Sequence, residues 1–227
     1  MMNPADDNLR LDAAELRVLG SLVEKAVTTP DYYPLSLNAL LNACNQSSNR
    51  EPVVSFGEPT VLRAVASLRD KKLVFVFEGA TSRVPKYGQR LADALGLSAP
   101  QVAALCVLML RGPQTVGEIR GRSGRLHDFS SLEEVESTLE GLMARSPVPL
   151  VERLPRQTGY KESRCAHLLA GHAEVSPPDV EPAMQPPSDI GRPDDGRVAH
   201  LEKEVDALRQ ELSALKTEFA EFRKQLE

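Results

Sequence analysis

Residues 11–19 read LDAAELRVL, and residues 97–105, which lie 86 positions further along the chain, read LSAPQVAAL. Each stretch opens with a capping box, a pattern in which two side chains three residues apart satisfy backbone donors at a helix start. The pairs are Asp12 with Glu15 and Ser98 with Gln101. The apolar residues that follow recur at spacings of three and four, which is typical of one buried helical face. The two stretches therefore predict equivalent helices in an internal repeat.

Two further helices and a β-hairpin follow in each copy of the repeat. A second helix is predicted over residues 34–45 and again over 113–125. The third helix carries buried positions at Val61, Val65 and Leu68 in the first copy and at Val135, Leu139 and Leu142 in the second. Strand-like segments then surround a Gly-containing loop at 73–87 and at 150–169, which predicts hairpins. Helix, helix, helix, hairpin is the order of a winged helix.

The C-terminal part of the chain has a different composition. Residues 173–196 hold six prolines and six carboxylates with almost no apolar side chains. This segment is predicted to be a disordered linker, because it has little apolar surface to offset the entropy of folding. Residues 197–227 carry an unbroken heptad pattern, which is typical of a coiled coil. Its apolar positions, the predicted dimer interface, are Val198, Leu201, Val205, Leu208, Leu212, Leu215, Phe219, Phe222 and Leu226.

The charges beside this seam favour a parallel homodimer. With Val198 at heptad position a, the pairs between helices are Arg197/Glu202, Glu204/Arg209, Glu211/Lys216 and Glu218/Arg223. All four are attractive in a parallel dimer, whereas an antiparallel dimer would bring the glutamates together. The alternative is an amphipathic helix that folds onto its own domain.

The predicted fold class is therefore mainly α with small β wings, or α+β. The predicted organisation is an N-terminal tail (1–10), two tandem winged-helix domains (11–96 and 97–172), the linker (173–196) and the coiled coil (197–227).

Composition narrows the classes of partner. Trp is absent and aromatic residues make up 4% of the chain, so platforms that stack single-stranded bases are not expected. The formal net charge is −5, but residues 173–196 carry six acids against one base, which leaves the two predicted domains near neutrality.

We find no secretory signal, no apolar run of membrane-spanning length, and three widely spaced cysteines. These features predict a cytoplasmic protein with reduced thiols and no membrane contact.

Several longer strings resemble one bacterial family. Residues 29–40 (TPDYYPLSLNAL) and 43–53 (ACNQSSNREPV) are similar to those of the YceH-like, UPF0502-type proteins. Further similar strings are RVPKY (83–87), LRGPQT (110–115), RLH (125–127) and LPRQ (154–157). The resemblance covers about residues 11–172 and implies two tandem winged-helix domains, but it implies no reaction. Ser47 departs from the family string, which usually has Lys there; if that Lys contacts phosphate in relatives, the contact is lost here.

The third helix of a winged helix usually enters the major groove of DNA. In the first copy, Arg63 is expected to reach a guanine, and Lys71 or Lys72 a phosphate. The alternative is an ordinary solvated helix face. With the wing and the connection before this helix, the predicted nucleic-acid-binding residues are Asn45, Gln46, Asn49, Arg50, Thr60, Arg63, Ser67, Lys71, Arg83 and Lys86.

The connection at residues 45–50 (NQSSNR) has two interpretations. It binds phosphate or a peptide backbone, or it caps the helices on either side. Six donor-rich residues exceed what capping needs, which favours binding.

The second copy has a different charge pattern. Its third helix carries Glu133, Glu134, Glu136 and Glu140 and is expected to face away from DNA. Its positive charge lies near the second helix and in the wing, where it suits a phosphate contact or an acidic protein partner. These basic residues are Arg120, Arg122, Arg125, Arg153, Arg156, Lys161 and Arg164.

The sequence predicts no catalytic residue, no metal site and no cofactor. The four histidines lack metal-ligand spacing, and no phosphate-binding Gly loop or nucleophile motif occurs. We interpret His127 beside Asp128 as a helix-flanking pair rather than a general base. Two non-enzymatic functions stay open: a dimeric DNA-binding transcriptional regulator, or an adaptor that docks a protein partner on its winged helices.

The chain is expected to be a dimer through residues 197–227, because the apolar seam and the four charge pairs are satisfied only across two helices. Light scattering on the full chain and on residues 1–172 measures this. A monomeric full chain would contradict the prediction, and a dimeric 1–172 fragment would show that the winged-helix region also associates.

Overall fold

Helix α1, Ala13–Thr28, is buried along the nine consecutive residues from Glu15 to Val23. The predicted capping box fixes its start: the Asp12 carboxylate accepts from the Glu15 N–H at 2.8 Å, and the Glu15 carboxylate accepts from the Asp12 N–H at 2.7 Å. A helix that is buried on all sides packs between other elements rather than along a surface. The rest of the fold is arranged around α1.

The structure is a computed structural model that describes residues 9–78, 84–156 and 162–171. All of these residues lie within one compact unit, residues 1–175. We refer to residues 9–96 as the N-terminal half and to residues 97–171 as the C-terminal half. The predicted linker and coiled coil, residues 173–227, lie outside the described residues.

The two halves share an order of three helices followed by a hairpin. In the N-terminal half, α1 is followed by a 3₁₀ turn (Pro30–Tyr32), β1 (Leu35–Ser36), α2 (Leu37–Cys44), α3 (Glu58–Asp70), β2 (Val74–Phe77) and β3 (Lys86–Gln89). A short helix, α4 (Leu91–Leu95), leads to α5 (Ala99–Arg111), α6 (Val116–Ser123), α7 (Leu132–Met143), β4 (Val151–Arg153) and β5 (Cys165–His167). Three helices and then an antiparallel hairpin therefore occur twice among the described residues. The fold class is α+β, as predicted.

The second helices are shorter than predicted. Ser36 and Thr115 are their N-caps, with side chains that accept from backbone N–H groups at 3.3 and 3.2 Å. The residues before these caps are extended. Leu35 pairs with Tyr87 in the three-stranded sheet β1-β3-β2, and Gln114 forms an isolated bridge with Cys165. The predicted starts at residues 34 and 113 are therefore wrong, because this backbone pairs with the hairpin instead.

The apolar pattern predicts most of the core, although Leu37, Val102 and Val116 of the same pattern are only half-buried. The buried positions include Leu16, Leu19, Leu22, Val23, Leu40, Val61, Val65, Leu68, Leu105, Leu108, Met109, Ile119, Val135, Leu139 and Leu142. The three cysteines are free and buried, as expected of packed thiols. None of the described helices is long and apolar enough to span a membrane.

Helices α1 and α5 pack against each other at equivalent positions. The Cys106 Sγ lies 3.5 Å from the Gly20 carbonyl oxygen, and 86 residues separate these two, as they separate the two capping boxes. A Cβ on Gly20 would lie 2.9 Å from Leu110 Cδ2, so glycine permits this close approach of the helices. Contact between equivalent positions is what an approximate two-fold relation between the halves requires.

Gly20→Val is expected to lower the free energy of unfolding by about 1–3 kcal/mol, because the added side chain would press on Leu110 and separate α1 from α5. Urea unfolding followed by circular dichroism measures the change. Gly121→Val in α6 is the matched control, because a Cβ there meets no atom within 4 Å. The control is expected to stay within about 0.5 kcal/mol of the unmodified chain. An equal loss in both variants would contradict the proposed close approach.

Candidate nucleic-acid interface

The solvent-facing side of α3 is rotated relative to the predicted one. The helix turns Val61, Ala64, Val65 and Leu68 into the core. The exposed residues on the other side, here called the α3 outer face, are Pro59, Leu62, Arg63, Ala66, Arg69 and Asp70. Arg63 is exposed as predicted, whereas Thr60 and Ser67 are half-buried at the edge of this face. Leu62 and Arg69 were missed, although the spacing of the buried positions places them opposite the core.

Lys71 forms an internal ion pair. Its Nζ lies 2.6 and 2.8 Å from the two carboxylate oxygens of Glu15 and 2.7 Å from the Arg10 carbonyl oxygen. Burial alone would raise the pKa of Glu15, but hydrogen bonds from Lys71, Ser67 and the Asp12 N–H lower it overall. Glu15 is 3% exposed, so its carboxylate needs this cation. The phosphate contact predicted for Lys71 is therefore corrected to a structural ion pair.

Arg50 is enclosed in the same way. Its guanidinium donates to both carboxylate oxygens of Glu24, at 3.1 and 2.6 Å, and to the Ala43 carbonyl at 2.9 Å. It also donates to Gln46 Oε1 at 3.1 Å. None of the Arg50 side chain is exposed, and 14% of the Glu24 side chain is. Arg50 therefore caps the C-terminal end of α2 and ties it to α1, which corrects its predicted contact with phosphate.

Other residues of the 45–50 connection also have partners within the fold. The Asn45 side chain donates to the Phe56 carbonyl at 2.9 Å and accepts from the Phe56 N–H at 2.8 Å. The Asn49 side-chain oxygen accepts a hydrogen bond from Arg111 of α5. These contacts favour the capping interpretation of the connection. Its amides order the segment between α2 and α3 and link that segment to the C-terminal half.

The β2–β3 hairpin, which is the predicted wing, follows α3 and contacts it through β2. Lys86 is half-buried at the start of β3, and Arg83 lies outside the described residues. The Arg90 guanidinium stands 5.3 Å from the centre of the Phe75 ring, a cation–π contact at the base of the hairpin.

The outer faces of α3 and α7 carry opposite charge. Glu133, Glu136 and Glu140 are exposed on α7. An offset of 74 residues aligns these positions with Pro59, Leu62 and Ala66 on α3. Three carboxylates on one helix face repel a phosphate backbone. The α3 outer face is therefore the better of the two for a polyanion.

Glu134 belongs to the turn before α7 rather than to this acidic face. Its carboxylate accepts from the Ser130 hydroxyl at 2.7 Å and from the Ser130 N–H at 2.8 Å, and it lies 3.2 Å from His127 Nε2. These contacts, led by the Ser130 hydroxyl, lower the pKa of Glu134 to about 2. The acidic partner of His127 is thus Glu134 and not Asp128.

Comparisons with known proteins identify the family. A model described as "Protein of unknown function, DUF480" matches residues 11–160. The chain belongs to this family. It is 56% identical over 199 residues to a "UPF0502 protein" of Opitutus terrae, a match that covers 88% of this chain and 83% of the relative. A "UPF0502 protein" of Solibacter usitatus is 54% identical over 218 residues, covering 96% and 98% of the two chains.

The family resemblance seen in the sequence is therefore confirmed, and these relatives carry no enzymatic name. Among the described residues, no group of three or more His, Cys, Asp or Glu side chains is placed to hold a metal ion.

Glu24→Gln is expected to destabilise the fold at pH 7 by about 3 kcal/mol, because it leaves the buried Arg50 without its counter-charge. Burial alone would raise the pKa of Glu24, but hydrogen bonding and the charge of Arg50, assisted by Lys25, lower it overall. A lowered folded-state pKa gives stability that is present above the unfolded value of 4.5 and is lost as pH falls through the folded value. The difference between variant and unmodified chain should therefore shrink below about pH 4.5.

Urea unfolding at pH 7 and at lower pH measures this difference. Asp93→Asn, which removes an exposed carboxylate from α4, is the control and should change stability little at either pH. A Glu24→Gln penalty that is independent of pH would contradict the ion pair.

Proposed function

We propose that this protein is a non-enzymatic DNA-binding regulator built of two winged-helix domains, in which α3 of the N-terminal half enters the major groove. The order of elements supports this proposal: α2 and α3 are followed by the β2–β3 hairpin, as a helix-turn-helix is followed by its wing in winged-helix proteins. The same order recurs from α5 to β5. Fold order alone assigns no function, so the proposal depends on the surface of α3.

Two exposed arginines on the α3 outer face carry the proposal. Arg63 and Arg69 are exposed there, and Arg63 has a side chain long enough to read a guanine edge. Lys86 begins β3 and Arg90 follows it, in the hairpin that we propose as the wing, the element that contacts the DNA backbone in winged-helix proteins. Glu58, Asp70 and Glu78 are also exposed on these elements, so the proposal depends on the exposed arginines Arg63 and Arg69 rather than on a net positive charge.

The acidic outer face of α7 supports the proposal that only the N-terminal half contacts DNA. With Glu133, Glu136 and Glu140 exposed, the C-terminal half is expected to face away from DNA. One reading helix per chain covers only a short site. A regulator of this design requires two chains on two half-sites, which the predicted coiled coil would supply.

A second candidate function is a protein-interaction adaptor. The observation that favours it is apolar exposure around α3: Leu62 is 40% exposed in the middle of the outer face, and Phe77 in the wing is 50% exposed. Large exposed apolar side chains of this kind anchor protein partners more readily than phosphate groups.

DNA binding is tested by fluorescence anisotropy with duplexes selected from a random library, at several salt concentrations. The logarithm of affinity should fall linearly with the logarithm of salt concentration. Arg63→Ala should cost about 1–3 kcal/mol on the preferred duplex and relax the preference at one base pair. Arg125→Ala in the C-terminal half is the matched control, an exposed arginine outside α3, and should bind the preferred duplex as the unmodified chain does.

If the full chain at micromolar concentration binds no duplex with salt-dependent affinity, the proposal of a DNA-binding regulator is wrong. The adaptor would then be the leading candidate, and Leu62→Asp should abolish capture of its partner by the full chain while Ala66→Ser, a mild change on the same helix face, should not.

A further inference from the structure

A cleft of about 390 Å³ lies where the two halves meet. The C-terminal part of α1 and the 46–49 segment line it on one side, and α5, α6 and the turn after α6 line it on the other. We call this space the inter-half cleft. The DNA-binding proposal does not use it, because none of its lining residues belongs to α3 or to the wing.

The lining of the inter-half cleft is strongly basic. Lys25, Arg111, Arg122 and Arg125 contribute four cations against the single carboxylate of Glu24. That carboxylate is already held by the two hydrogen bonds from the buried Arg50. The cations therefore outnumber the acids that could neutralise them. A concave surface with such an excess concentrates anions.

The arginines of the cleft differ in how far the fold already uses them. Arg122 hydrogen-bonds Gln114 and lies 3.4 Å from Glu118, one turn earlier on α6. Arg111 hydrogen-bonds the neutral Asn49 side chain and has no carboxylate partner among the described residues. Arg125 is exposed and has no ion-pair partner within the described ranges. Arg111 and Arg125 are thus available to an incoming anion.

The cations of the cleft also destabilise one another. The pKa of Arg111 is lowered, first by burial and then by the positive charges of Arg122 and Arg50. A bound anion would reduce the repulsion between these positive charges. The two parallel N–H groups of a guanidinium also match the geometry of a phosphate group.

Two glycines keep the α6 side of the cleft open. Gly121 and Gly124 line it, and a Cβ on either would meet no atom within 4 Å. Gly124 has an ordinary helical φ of −53°, so its backbone does not require glycine. A helix-interior glycine such as Gly121 weakens its helix, which packing does not explain here. The absence of a side chain leaves room for a ligand against the helix backbone.

Apolar side chains also line part of the cleft. They are Val107, Leu110 and Leu126. The volume of about 390 Å³ falls within the range of small-molecule sites. The lining as a whole is more polar than apolar, which suits a ligand that carries charged groups. An inorganic ion alone would leave most of this space empty.

From this arrangement we propose that the inter-half cleft binds a phosphorylated small molecule of about nucleotide size. The phosphate groups lie against Arg111, Arg122 and Arg125, and the uncharged part packs on Val107 and Leu126. The Ser48 hydroxyl and the Gln46 amide, which also line the cleft, supply further hydrogen-bonding groups.

The test is isothermal titration calorimetry on the full chain, with ADP and sodium pyrophosphate as probes at constant ionic strength and adenosine as the phosphate-free comparison. ADP is expected to bind more tightly than pyrophosphate, and adenosine is expected not to bind measurably. Arg125→Gln should weaken ADP by about tenfold, the loss of one charge-assisted hydrogen bond. Gly121→Val, the stability control introduced above, should weaken ADP by at least as much because it fills the cleft.

Arg69→Gln is the matched control, since it removes an exposed arginine from α3 and should leave ADP affinity unchanged. Failure of both probes to bind at millimolar concentration would overturn the proposal. So would equal effects of Arg125→Gln and Arg69→Gln, or a loss of duplex DNA affinity in Arg125→Gln with no loss of ADP affinity. Arg63→Ala separates the two proposals, because it should impair DNA binding and spare ADP.

Discussion

The burial of α1 on all sides is the constraint on which the rest of this structure depends. Between Glu15 and Val23, every side chain of this helix is enclosed by the N-terminal half or by α5. A polar group in such a place must find a partner within the fold. Arg17 donates to the Cys44 and Pro52 carbonyls at 3.1 and 2.5 Å, and Ser21 donates to the Ala43 carbonyl at 3.4 Å. These bonds, together with the pairs of Glu15 and Glu24, set where α2, α3 and the segment between them lie against α1.

The parts of the fold that could be predicted from the sequence are those with local signals, whereas the partners of the buried polar groups lie far away along the chain. The helices follow from the spacing of apolar residues and from caps three residues apart, both of which are local signals. Strand β1 was missed because two residues show no alternation, and their extended state depends on pairing with β3. The partners of Arg50 and Lys71 lie 26 and 56 residues away, so nothing local distinguishes these cations from ordinary surface residues. Arg63 was placed correctly because helical periodicity alone puts it opposite the core.

Helices α3 and α7 preserve their inward faces and differ in their outward ones. Val61, Val65 and Leu68 of α3 and the corresponding residues of α7 are all buried, so the packing demands on both helices are the same. Nothing in the core restrains the outer faces, where Arg63 and Arg69 stand on one helix and three glutamates on the other. The divergence of α3 and α7 at these exposed positions points to surfaces with different partners rather than to different folds. Both proposed functions for α3 depend on this difference.

At the junction of the two halves, closely packed helices lie beside two arginines, Arg111 and Arg125, that have no carboxylate partner among the described residues. Gly20 brings α1 and α5 into close contact, and the Glu51 N–H donates to the Leu110 carbonyl at 2.8 Å, so backbone from both halves meets beside the inter-half cleft. A ligand bound there would contact α1 and the 46–49 segment from one half and α5 and α6 from the other. The segment that lines the cleft continues through Asn45, which is bonded to Phe56 two residues before α3 begins. Under the two proposals taken together, the free energy by which the ligand would change the affinity of α3 for DNA must equal the free energy by which DNA would change the affinity for the ligand. The short covalent path from Asn49 to Glu58 is the element through which that coupling would act.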